Sequence, residues 1–229
     1  MDIANVRAHF DAEASHYDAR ILRIVPGYRE QSEILLSLLP FTTNTAIRVL
    51  DLGCGTGALS SLILSAFPAA TVSACDLAEP MLDICRQRLA PYSPRASFQR
   101  ADFSSTEFGN DEFDAVVSGL AIHHLDAAQT KDLYKRIYST LRPGGMFLNR
   151  ELVLGQTQLW TRRYEQLWRD HVAAGGEQDS EWFQSYLDED QPAAVDDHFI
   201  WLRQAEFEDV ACHYRRLNFA IFGGSKRAT

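Results

Sequence analysis

The sequence predicts an α/β chain built on a doubly wound, mostly parallel sheet. Three observations carry that expectation: strand-like and helix-like stretches alternate between residues 46 and 152, a glycine turn follows the first strand, and further helical stretches flank the alternation. AIRVLDL (46–52) is a short apolar run ending at Gly53, and ALSSLILSAF beyond it has helical spacing, so the chain passes from strand through tight turn to helix. The beat then repeats. TVSACDL (71–77), ASFQRAD (96–102), FDAVVSG (113–119) and MFLNREL (146–152) read as strands, while MLDICRQRLA (81–90) and AAQTKDLYKRIYSTL (127–141) read as helices, the latter stopped by Pro143, Gly144 and Gly145. Parallel strands joined this way need right-handed crossovers and bind ligands at their carboxyl ends.

Residues 2–40 read as helical pieces broken at Pro26 and Gly27, with a helix-spaced stripe of Ile34, Leu35, Leu38 and Leu39. From Gln156 the pattern changes to an aromatic-rich helix, QLWTRRYEQLWRDHV, then DSEWFQSYL and PAAVDDHFIWLRQAEF, read as an inserted lid. DVACHYRRLNFAIFGG supplies two short strands for a closing antiparallel hairpin. The expected organisation is one unit over 1–229: a helical cap (1–45), a ligand-binding core (46–154), a helical lid (155–206) and the hairpin (207–223).

Composition narrows the partners. With 46% apolar residues the 229-residue chain can fill one core, and 22 basic against 31 acidic residues give a net charge of −9, which repels a bare phosphate backbone. No nucleic-acid partner is expected. Cys54, Cys75, Cys85 and Cys212 show no CxxC or Cys/His ligand spacing, so neither a disulfide framework nor a metal site is expected. The N-terminus is acidic where a signal peptide is basic then apolar, and no run approaches the about 20 apolar residues of a membrane span. A cytoplasmic protein without a membrane partner is expected; a homo-oligomer is possible.

In VLDLGCGTG, Gly53, Gly55 and Gly57 allow a sharp turn, close approach of the backbone to a bulky ligand, and close packing of the next helix. Gly53, Gly55 and Ala58 also satisfy the dinucleotide pattern GxGxxA, so the turn alone leaves an NAD-dependent dehydrogenase open. Successive strand ends add to it. Asp51 can meet an ammonium directly or through water, and Asp76 can accept both hydroxyls of a ribose. Asp102 with Phe103 offers an acceptor for an adenine amino group beside an aromatic face, and Ser118, Gly119 and Leu120 would underlie an amino-acid chain. Together these are the needs of S-adenosylmethionine.

Through VLDLGCGTG, ACDLAEPML, ADF, FDAVVSGLAIHHL and LRPGG, in that order, residues 46–150 resemble the class I S-adenosylmethionine-dependent methyltransferases. The resemblance implies a seven-stranded sheet of order 3-2-1-4-5-7-6 and S-adenosylmethionine as cofactor, with Leu77 and Met81 joining the contacts above. ILRIVPGYRE is similar to a subgroup that includes carboxy-S-adenosylmethionine synthase, in which the aromatic residue matching Tyr28 reaches the cofactor. That synthase clamps an added carboxylate with an arginine in its late insertion. Here no Arg or Lys occurs between Arg169 and Arg203.

A sulfonium is already activated, so an acceptor needs alignment and, for a hydroxyl, a base. His123 and His124, past the fourth strand, lie where a base is useful, although His-His-Leu is common at this point of the resembling family whatever the acceptor. Asn149, in the otherwise apolar MFLNREL, is expected to face the cleft, as is Tyr186, which sits among Asp188, Glu189 and Asp190. Trp160, Tyr164, Trp168, Trp182 and Phe183 offer aromatic faces to a cation. Transfer of a methyl group to a small molecule is the leading expectation. One alternative has the cofactor's own amine attack its γ-carbon to form azetidine-2-carboxylate and methylthioadenosine, with Asn149 and Tyr186 caging the sulfonium. A non-catalytic binding protein of the same fold is the other.

Overall fold

The structure, a computed structural model, describes residues 10–11, 14–176, 183, 186 and 190–228. Seven strands form one sheet of order β3-β2-β1-β4-β5-β7-β6: β1 (Arg48–Leu52), β2 (Thr71–Asp76), β3 (Ala96–Arg100), β4 (Phe113–Gly119), β5 (Leu141–Leu152), β6 (Glu208–Arg216) and β7 (Phe219–Ser225). The first five pair in parallel and β7 runs antiparallel to both β5 and β6, as the sequence predicts. β5 begins five residues before the expected Met146, because Leu141 already pairs with Phe113 and the ladder shifts register before Ala115 meets Met146.

The described helices are α1 (Tyr17–Ile24), α2 (Tyr28–Ser37), α3 (Ala58–Ala66), α4 (Glu79–Leu89), α5 (Ala127–Thr140), α6 (Gln158–Ala174) and α7 (Val195–Gln204). The first residue of α5 follows Asp126, whose carboxylate accepts from the backbone of Ala128 and Gln129 while Gln129 reaches back to the Asp126 amide, a closed capping box. Helices pack on both faces because side chains alternate along each strand. Val49, Ala115, Val117 and Leu148 meet Leu35, Ile63 and Leu82 on one face. Leu50, Leu52, Val116 and Phe147 meet Leu133, Tyr134, Ile137 and Leu202 on the other. A third cluster joins α1 to the lid helix α6 through Ile21, Val25, Trp168 and Val172. Trp182, Asp188 and Glu189, and most of the expected second lid helix, lie outside the described residues. Among the described residues no helix is long and apolar enough to cross a membrane.

Candidate active site

The turn between β1 and α3 is built around glycines that nothing else can replace. Gly53 and Gly57 hold φ of +66° and +79°, and a Cβ would lie 2.4 Å from the Ala121 Cβ at the first and 2.5 Å from the Cys85 Sγ at the second. The cap is fastened to this turn. Asp18 of α1 accepts from the Thr56 hydroxyl at 2.6 Å and pairs with Arg88 of α4, and Arg88 also donates to the Thr56 carbonyl at 2.9 Å.

A cleft opens at the carboxyl ends of the strands. Its lining takes Asp102 and Phe103 from beyond β3, Asp76, Leu77 and Met81 from the end of β2 and from α4, Gly53 and Gly55 from the turn after β1, Gly119, Leu120, Ala121, His124 and Leu125 from the end of β4 and beyond, and Phe10 and Tyr17 from the cap. Asp76 accepts from the Gly55 amide at 2.8 Å through one oxygen and from the Ala78 amide at 2.9 Å through the other. Each oxygen retains capacity for a second donor. Burial raises the Asp76 carboxyl above the usual range against these bonds. Asp102 accepts from the Ser104 amide at 2.8 Å with one oxygen, leaving the second for a ligand. Tyr17 is held protonated by burial, reinforced by the charges of Asp76 and Asp18.

Three expected contacts sit behind this wall. Asp51 is 1% exposed on the face packed by α3, where it accepts from the Ser60 hydroxyl at 2.6 Å; burial pushes its carboxyl up to about 6, against that bond and the charge of Arg150. The Ser118 hydroxyl, expected under the ligand, instead donates to the Leu52 carbonyl at 2.9 Å and ties β4 to β1. Tyr28, the first residue of α2, lays its ring against the Arg150 guanidinium at 4.2 Å and does not itself line the cleft.

The acceptor-side expectations need larger correction. Phe147, Asn149 and Glu151 share the face of β5 that meets α5 and α7, because residues two apart point the same way. Asn149 is therefore fully buried away from the cleft, donating to Glu151 at 3.2 Å. His123 lies on a 3₁₀ turn (Ile122–His124) that rotates it inward onto Glu151, so His124, not His123, lines the cleft. Burial opposes charge on His123, but the carboxylates of Asp190 and Glu151 outweigh it and bring its pKa up to about 9. Glu151 is correspondingly held low by the His123 charge, against its own burial. Asp190 lies 3.0 Å from His124 and 3.6 Å from His123. The three ligand atoms fall within 4.8 Å of one another, a spacing a metal ion could bridge, although the carboxylate already faces both rings.

Tyr186 packs in the lid core, its ring against Trp168 at 5.2 Å and its hydroxyl donating to Glu165 at 3.0 Å. Neither Asn149 nor Tyr186, expected together as a sulfonium cage, is among the residues that line the cleft described above. Of the other lid aromatics, Trp168 donates to the Ile24 carbonyl at 2.6 Å, Phe183 joins its cluster, and Trp160 stacks on Tyr164 at an exposed site. Phe10, Tyr17, Arg150 and Glu151 carry no signal in the sequence that marks them for the site. Leu120, expected beneath the amino-acid chain, does line the cleft and holds φ of +62°, a strained backbone for a leucine, where its amide donates to the Arg150 carbonyl at 2.7 Å.

Comparison with known proteins agrees with this architecture. A family model described as a methyltransferase domain matches residues 49–145. The carboxy-S-adenosyl-L-methionine synthase of Campylobacter concisus is 28% identical over 166 residues, 72% of this chain and 70% of that one. The malonyl-[acyl-carrier protein] O-methyltransferase of Halorhodospira halophila is 38% identical over 122 residues, spanning 53% of this chain and 40% of its own length. Among solved structures, phosphoethanolamine N-methyltransferase 2 of Haemonchus contortus with S-adenosyl-L-methionine matches 96% of this chain and 57% of its own, with a TM-score of 0.72 at 19% identity. Residues 49–145 thus carry a methyltransferase domain, on a fold shared with the S-adenosylmethionine-dependent methyltransferases to which the chain is similar.

Proposed function

We propose that the chain transfers a methyl group from S-adenosylmethionine to a small-molecule acceptor bound between the cleft and the helices above it. The observation that carries this reading is that Asp102 and Phe103, Asp76, Gly55 and Gly119 line one cleft and come from the ends of the neighbouring strands β3, β2, β1 and β4, the order in which adenine, ribose and amino-acid chain follow one another in the cofactor. Gly55 suits a cradle: at φ of +52° it has no atom within 4 Å of a would-be Cβ, so its missing side chain leaves room. Leu77, Met81 and Phe103 supply apolar contact for a flat base, and Asp102 an acceptor for its amino group. When bound, the cofactor supplies a methyl group activated by a sulfonium. Tyr17 and His124, at the wall nearest the cap, are the polar groups placed to meet an acceptor. Phe10 and Tyr17 of the cap wall one side of the cleft, which favours a small acceptor over a polymer, and the net charge of −9 favours the same choice.

The test uses methyl-labelled S-adenosylmethionine and a cell extract split into small-molecule and macromolecular fractions. Label appearing in a small molecule, with S-adenosylhomocysteine as co-product, is the expected result. Label confined to protein or nucleic acid would overturn the acceptor class, and preference for NAD over S-adenosylmethionine in equilibrium binding would overturn the cofactor assignment.

A pH dependence follows from Asp51. If its carboxylate receives the cofactor's ammonium, affinity weakens as the pH falls through about 6, where the buried carboxyl takes up its proton. Asp76, also raised, contributes in the same direction. Calorimetry across that range should show a steeper loss in the parent than in Asp51→Asn; parallel profiles would remove Asp51 from the site. In the unliganded protein the sign reverses. A folded-state pKa raised from 3.8 to about 6 makes ionised Asp51 a cost, so its contribution to stability declines as the pH rises through that window.

A further inference from the structure

Arg150 is the one buried cation of β5, and nothing in the cofactor assignment above uses it. It is 3% exposed, and its guanidinium donates to the Ser32 hydroxyl at 2.8 Å and lies against the Tyr28 ring. Its Nε has no hydrogen-bond partner, and no carboxylate among the described residues comes within ion-pair distance of it. A guanidinium does not shed its proton in a protein, so unlike a lysine it cannot escape burial by becoming neutral. A buried charge without a counter-ion is stable only if something else brings one.

Its position says what that is. Arg150 pairs in register with Gly119, and its Nη2 lies 2.8 Å from where a Cβ on Gly119 would stand. Any side chain there would displace the guanidinium, and Gly119 lines the cleft. Asp51 and Arg150 lie on the same face of the sheet, the face packed by α2 and α3, close enough that the cation acts on Asp51, yet Asp51 bonds to Ser60 rather than to Arg150. An acid and a cation held side by side at strand ends without pairing form a receptor for a zwitterion: the acid for its ammonium, the cation for its carboxylate.

We propose that Arg150 binds the α-carboxylate of S-adenosylmethionine, with Tyr28 and Ser32 fixing the guanidinium from behind; this rests on the cofactor reading given above. Tyr28 then serves the cofactor through Arg150. The planar, delocalised cation stacked on an aromatic face is already oriented for a carboxylate, so little rotamer freedom is lost on binding.

The test is a cycle of affinities measured by calorimetry with the full chain, wild type and Arg150→Met, against S-adenosylmethionine, decarboxylated S-adenosylmethionine and methylthioadenosine. Wild type should favour S-adenosylmethionine over the decarboxylated ligand by about 10- to 100-fold, the worth of a charge-assisted pair. Arg150→Met should erase that preference while leaving the affinities for the other two ligands unchanged. Arg150→Lys, which retains the charge without the fork, should recover part of it. Equal wild-type affinity for the two sulfonium ligands overturns the proposal without recourse to any variant. So does an equal loss for all ligands in Arg150→Met, which marks a structural role, or an unchanged S-adenosylmethionine affinity, which points to a carboxylate on the acceptor. Methylthioadenosine lacks the amino-acid head and reports the nucleoside end alone. Failure of wild type to bind it or S-adenosylmethionine overturns the cofactor reading and this proposal with it.

Discussion

Replacing Asp76 with alanine should weaken S-adenosylmethionine binding by about 100-fold or more. The expected loss is that of two hydrogen bonds from ligand hydroxyls to a buried carboxylate, each worth about 1.5–3 kcal/mol. The carboxylate also receives the Gly55 and Ala78 amides, so the same substitution frees two backbone donors at the turn that carries the cofactor. Asp76→Asn separates the two effects: its amide oxygen can still accept one of those backbone bonds, while the charge that favours ribose hydroxyls is gone. Alanine should therefore lower both affinity and thermal stability, and asparagine chiefly affinity. An alanine variant with parental affinity would move the ribose site away from the end of β2.

Glu151→Gln should destabilise the fold by about 3–5 kcal/mol, the usual cost of breaking a buried ion pair from one side. For a domain of this size that corresponds to a fall of about 10 °C in Tm. Glu151 is fully buried and accepts from the amides of Ile122 and Leu152, from Asn149 and from His123. The pH dependence identifies the mechanism. His123 is raised from 6.5 to about 9, so its share of the stability is full below 6.5 and is lost as the pH climbs through about 9. Glu151 is lowered from 4.5, so its share is full above 4.5 and is lost on acidification below that. The gap in Tm between parent and variant should be widest between these limits and close at both ends. A gap independent of pH would mean that shape, not charge, holds the pair.

The alternation of strand and helix was legible because each period reports burial directly, and the glycine turn because only glycine fits at Gly53 and Gly57. Asp76 and Asp102 were legible because the ends of parallel strands are fixed points of the fold. The acceptor side was not. In MFLNREL the apolar residues occupy both faces before the polar ones begin, so the spelling gives no parity, and Asn149 was assigned to the face that Arg150 takes. The order of His123 and His124 depends on a single 3₁₀ turn, which rotates successive side chains by roughly a third of a circle and leaves no trace in composition. Tyr17 lines the cleft and Tyr186 packs in the lid, and the acidic run Asp188, Glu189 and Asp190 beside Tyr186 does not report which way its ring turns.

Asn149, Arg150 and Glu151 place a cation on one side of the sheet and a carboxylate on the other, one residue apart. Inserting or deleting a single residue in β5 would exchange them, setting Glu151 against Tyr28 and Ser32 and Arg150 against His123, a like-charge contact in the interior. Hydrophobic pattern alone specifies such alignment weakly in a strand that is covered on both sides. In this strand charge does the proofreading: the misaligned sheet buries two wrong ions, so the residues that serve ligand and fold also exclude the neighbouring alignment.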